Sequence, residues 1–91
     1  MVEFYATWCI PCKRMKPILQ EITDELAGNV HLTRIDVDQE VELTKRFKIT
    51  SVPTYLLFQS GEILLREDGM HSKPAFKEKI EKALMPAEAS A

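Results

Sequence analysis

The stretch Val2-Glu3-Phe4-Tyr5-Ala6-Thr7-Trp8-Cys9-Ile10-Pro11-Cys12-Lys13 changes character in its middle. Its first five residues are rich in aromatic and branched side chains and read as a short strand, which the turn-prone Pro11 brings to an end. Beyond Cys12 the apolar residues Met15, Ile18, Leu19, Ile22 and Leu26 recur at helical spacing as far as Gly28-Asn29, a favoured helix stop. Pro17 lies inside this amphipathic helix and predicts a bend, because it removes an amide donor and its ring crowds the preceding turn. Both cysteines of the chain therefore fall where a buried strand runs into the start of a helix.

That placement decides what the pair can do. An ordinary cysteine, with a pKa of about 8.5, is mostly protonated at neutral pH. Unpaired amides and the macrodipole at a helix's first turn favour the anionic sulfur of Cys9 and make it a usable nucleophile. Cys12, one turn later, points back toward the same end. After Cys9 attacks a target disulfide, Cys12 can attack the mixed disulfide and release the reduced product. Zinc and iron–sulfur sites share the Cys-x-x-Cys spacing but usually draw on four ligands. This chain has two cysteines in all, with His31 and His71 far away in sequence, so no metal site and no cofactor is expected. A ring this short would constrain the unfolded chain little, which argues against a structural staple. A pair of inert core thiols is the bland alternative.

Further along, His31 to Val37 reads as a mostly buried strand, and Val41, Leu43 and Phe47 suit a short helix over 40–47. Thr54 to Phe58 and Ile63 to Arg66 flank Gln59-Ser60-Gly61-Glu62, which predicts a β-hairpin. Ser72 can cap a last helix with Pro74 in its first turn and Phe76, Ile80, Ala83 and Leu84 on one face. The order strand, helix, strand, helix, strand, strand, helix predicts an α/β fold, a mixed four-stranded sheet with helices on both faces. One domain over 1–84 is expected, followed by a disordered tail over 85–91, which is small, polar and aperiodic.

In Trp8-Cys9-Ile10-Pro11-Cys12-Lys13 and the strand before it, the chain resembles the thioredoxin family, and the resemblance spans nearly its whole length. Pro17 falls where that family kinks its active-site helix, Ile35-Asp36-Val37-Asp38 resembles the exit of its next strand, and Val52-Pro53-Thr54 resembles its cis-proline segment. Gly61 and Gly69 match its hairpin and substrate-loop glycines. The resemblance implies a thioredoxin-like fold and a protein disulfide oxidoreductase, with Cys9 as the exposed nucleophile and Cys12 as the buried resolving thiol. It implies a cis Pro53, exposing the Val52 backbone so that a target peptide can dock as an added strand. Trp8, Ile10, Val52 and Met70 would form an apolar collar for docking, beside Pro11. Disulfide-containing proteins would be the substrates, and a thiol or flavoprotein reductase the electron donor.

Three departures from the family pattern stand out. Glu3 occupies the position of a buried aspartate and would accept the proton of Cys12, with Arg34 at a nearby basic position; the alternative is a solvated glutamate in a frayed strand. Ile10 replaces the usual glycine and leaves the redox poise open. The strand and helix that usually precede the central strand are missing. The strand around His31 to Val37 should then be an edge, with lower stability or pairing with another chain, such as a homodimer, as the consequence.

Twelve basic against fourteen acidic residues give a formal charge of −2 with the signs mixed, which offers no footprint for nucleic acid or an anionic membrane. No stretch approaches the roughly 20 apolar residues of a membrane span. Without an export signature at Met1, a cytoplasmic location is the default expectation. Two other readings remain beside a general reductase: a redox-inactive binding module on the same fold, and a specialised thiol oxidase or isomerase.

Overall fold

The computed structural model describes residues 1–26 and 30–84. Its elements are β1 (Val2–Tyr5), α1 (Ile10–Glu25), β2 (Thr33–Asp36), α2 (Val41–Arg46), β3 (Thr54–Gln59), β4 (Glu62–Asp68) and α3 (Lys73–Leu84). They form one sheet in the order β2-β1-β3-β4, with β1 parallel to β2 and antiparallel to β3, and β3 antiparallel to β4. This is the mixed four-stranded sheet expected from the order of elements, and β2 lies at its edge. The Gly28-Asn29 helix stop and the 85–91 tail fall outside the described residues.

Strand alternation sorts the side chains into two layers. On one face Met1, Tyr55 and Leu57 join Met15, Leu19 and Ile22 of α1 and Phe76 and Ile80 of α3 in the main core. Across the sheet Phe4, Phe47 and Phe58 stack in sequence, with ring centroids 6.0 and 5.7 Å apart, and tie the end of α2 to β1 and β3. Helices thus cover both faces. α1 runs unbroken through Pro17, and Ser72 caps α3 by accepting from the Ala75 amide at 3.4 Å.

Two strand limits differ from the sequence reading. β2 is shorter than His31–Val37, because its partner β1 is only four residues long: Thr33 donates to Met1 O and Val37 to Tyr5 O at the two ends of the pairing. β4 runs past Arg66 to Asp68, since Glu67 and Asp68 pair with Tyr55 and Thr54 despite their charge. The hairpin turns through Ser60 and Gly61, at φ 53° and 81°, the two positive values that a two-residue type I′ turn demands.

Candidate active site

Cys9 is the N-cap of α1, with extended backbone, and Cys12 lies in the first turn. The two are joined by a disulfide, and the Cys12 amide donates to Cys9 Sγ at 3.1 Å. A sulfur therefore occupies the place where a serine or aspartate oxygen usually satisfies an orphan amide. No acidic residue stands in the first turn of α1, so nothing else there answers the positive end of the helix. The sequence led us to expect an exposed Cys9. In the disulfide form it is only 4% exposed, against 1% for Cys12, because both pack with Ala6 against Tyr5, Val37 and Val52.

Glu3 is completely buried, which rules out a solvated glutamate in a frayed strand. It sits opposite Tyr55 on β3 and beside Arg34 on β2, on the sheet face that α1 covers. Its Oε1 accepts from Arg34 Nε at 2.8 Å, whereas its Oε2 is buried with no partner in the protein. Burial pushes the Glu3 carboxyl above its ordinary value of 4.5, and the Arg34 hydrogen bond and the Arg34 and Lys16 charges only partly oppose this. The Arg34 guanidinium also lies 3.9 Å from the centre of the Tyr5 ring. A cleft of about 300 Å³, lined by Tyr5, Cys12, Lys16 and Arg34 among others, opens on this side.

On the other side a groove of about 170 Å³ is lined by Trp8, Val37, Thr44 and the 49–52 segment. It brings together two of the four collar residues, Trp8 and Val52. Ile10 and Met70 are exposed and do not line it, and Pro11 is an exposed residue of the first helical turn. Pro53 is buried behind Val52, and the Val52–Pro53 peptide is cis. Met70 follows Gly69, whose φ of 76° lets its amide donate to Pro53 O at 3.0 Å while its carbonyl accepts from Tyr55 Oη at 2.9 Å. Those bonds fasten the Met70 loop to the proline segment.

The sequence reading passed over Asp38, which accepts a hydrogen bond from Trp8 Nε1 at 2.9 Å. Its own amide donates to Asp36 Oδ1 at 2.9 Å, an Asx turn that the Asp36-Val37-Asp38 pattern could have signalled.

A buried disulfide at a helix origin, facing a cis-proline segment across a mixed sheet, defines the class of thioredoxin-like dithiol proteins. Residues 1–82 match the thioredoxin family, and the chain belongs to it. It is 36% identical over 84 residues to "Thioredoxin Y, chloroplastic" of Oryza sativa subsp. japonica, covering 92% of this chain and 50% of that one. It is 40% identical over 75 residues to "Bifunctional thioredoxin reductase/thioredoxin" of Mycobacterium leprae, covering 82% of this chain and 16% of that one. The chain thus spans half or less of the length of these two relatives. Among solved structures, the germline-specific thioredoxin Deadhead of Drosophila melanogaster superposes with a TM-score of 0.83 at 31% identity, covering 92% of this chain and 78% of that one.

Proposed function

We propose that this chain is a thiol–disulfide oxidoreductase that reduces disulfides in proteins, with Cys9 attacking and Cys12 resolving. The observation that carries this reading is the Cys9–Cys12 disulfide at the origin of α1, with the Cys12 amide directed at Cys9 Sγ. In the dithiol form the same amide and the helix dipole hold Cys9 as a thiolate. The thiolate attacks a target disulfide: the target's S–S bond breaks, one target sulfur leaves and takes up a proton, and a mixed disulfide with Cys9 forms. Cys12 then loses its proton and attacks Cys9 Sγ, which closes the internal disulfide and releases the second target sulfur to be protonated in turn. Two electrons and, in sum, two protons pass to the target.

Glu3 takes the Cys12 proton in this scheme, and Arg34 steadies the resulting carboxylate. Supporting this are the raised pKa of Glu3, its free Oε2, and its place on the face covered by the helix that carries Cys12. In E3Q the pH profile of disulfide reduction should lose one step; an unchanged profile ends the assignment. Trp8, Ile10, Pro11, Val52, Pro53 and Met70 form the docking surface for the target segment. The electron donor is a thiol or a flavoprotein reductase, in keeping with a relative whose name joins thioredoxin to its reductase in one chain. The outer edge of β2, unpaired among the described residues, supports pairing with another chain such as a second copy, which sedimentation would detect.

Turnover tests the main reading. With dithiothreitol as donor, the wild type should reduce a disulfide-bonded protein catalytically, Cys9→Ser should abolish turnover, and Cys12→Ser should accumulate the mixed disulfide. A wild type that never exchanges with dithiothreitol would sink the proposal. Equilibration with glutathione buffers gives the reduction potential and separates a reductase from an oxidase or isomerase.

A further inference from the structure

We infer that Asp38 is a positioning residue for this chemistry: it pins the Trp8 indole as a fixed wall of the groove beside the disulfide and so sets affinity for targets with a large apolar residue next to their cysteine. The inference rests on the oxidoreductase reading above and adds to it a determinant of target choice.

Trp8 is 67% exposed, so packing alone does not hold its ring. Among the described residues its only side-chain hydrogen bond is the 2.9 Å bond to Asp38 Oδ2, made to a residue 30 positions away. Asp38 is itself held, because its amide closes onto Asp36 Oδ1 and Asp36 ends β2, the strand paired with β1. Chain position is fixed at the same place by the bond from the Val37 amide to Tyr5 O at 2.9 Å. The indole is thereby tied to the sheet through a short rigid turn.

The groove gives that tie its consequence. Its lining residues Val37 and Val52 also pack against the cluster of Ala6, Cys9 and Cys12, so its apolar surface is continuous with the disulfide. Trp8 supplies the largest apolar side chain of the lining. A volume of about 170 Å³ suits one large apolar side chain, and the position of the indole determines whether that volume exists. A ring free to rotate would have to be ordered by each incoming target, at a cost in affinity that a pre-set wall avoids. The acceptor is a carboxylate, so its bond to the indole N–H is stronger than one to a neutral group.

The test uses the full chain and two disulfide-linked peptides, one with leucine and one with glycine beside its cysteine. In Asp38→Ala, KM for the leucine peptide should rise about five-fold while kcat stays the same, as expected for loss of one charge-assisted bond near the surface. KM for the glycine peptide should hardly move. Asp38→Asn keeps an oxygen acceptor and should recover most of the loss. Trp8 is the only tryptophan, so fluorescence anisotropy reports its freedom directly, and it should fall in Asp38→Ala and recover in Asp38→Asn. In a Trp8→Phe background, which has no indole N–H, Asp38→Ala should have no further effect on KM. An equal effect with or without the indole, or unchanged anisotropy together with unchanged KM, overturns the inference. Exchange of the wild type with dithiothreitol, which needs no groove, reports separately on the underlying activity.

Discussion

Two glutamates in this molecule each meet basic side chains, and their carboxyls shift in opposite directions. Glu3 faces Arg34 from a site without water, and its pKa rises. Glu25, at the far end of α1, meets Lys73 and Lys77 of α3 in solvent, and hydrogen bonds from those two lysines hold it down at about 2. A partner of the right sign is present in both places, so the partner does not decide the direction. Desolvation does: removing a carboxylate from water costs more than one guanidinium returns, whereas at the surface that cost is small and attraction prevails. The helix thus has a strained polar group beneath its reactive end and a relaxed ion cluster at its other end.

Removing the cation at the buried end should have the largest effect. Arg34→Leu leaves the Glu3 charge without its only hydrogen-bond donor, and breaking a buried pair in this way costs on the order of 3 kcal/mol at pH 8. The loss should shrink at pH 5. Arg34 lowers the Glu3 pKa, so without it Glu3 stays protonated to higher pH and escapes the penalty in acid. Urea unfolding of the disulfide form at the two pH values measures this, and equal losses would assign the effect to lost stacking on Tyr5 instead.

Next in size is the change in slope produced by Glu3→Gln. A folded pKa above the ordinary 4.5 means that the folded state holds the proton more tightly than the unfolded state. Stability is therefore greatest below 4.5 and falls as pH rises through the folded value, by up to about 1.4 kcal/mol per pH unit in between. The amide variant carries no such proton and should show a flatter profile across that window. Parallel wild-type and variant curves would mean that the carboxyl is not perturbed.

The order of elements was legible because each carried a local signal, such as the helical spacing from Met15 to Leu26 or the glycine of the hairpin. The reactive pair was legible for the same reason, since Cys9 and Cys12 are close in sequence and their surroundings follow from the strand and helix around them. Burial of Glu3 was not. A charged residue near the start of a strand resembles a loose end, and it becomes enclosed only when β2, β3 and α1 close over it. The Trp8 bond to Asp38 and the Lys77 bond to Glu25 join residues 30 and 52 positions apart, and nothing in either segment marks its partner. The cis form of Pro53 came from family resemblance, since no local pattern separates it from a trans proline entering a strand.

The smallest effect is expected at Glu25, despite the larger departure from neutral titration that a value of about 2 might imply. Here the sign is reversed: a depressed folded pKa gives a contribution that is complete above 4.5 and lost as pH falls through about 2. Glu25→Gln should therefore flatten the acid limb of the stability curve and leave the neutral and alkaline limbs in place. Both lysines and the carboxylate remain in contact with water, so the shift in melting temperature at pH 7 should be slight and should vanish in high salt. A salt-resistant loss as large as that of Arg34→Leu would contradict the contrast, because it would require the α1–α3 cluster to behave as a buried site.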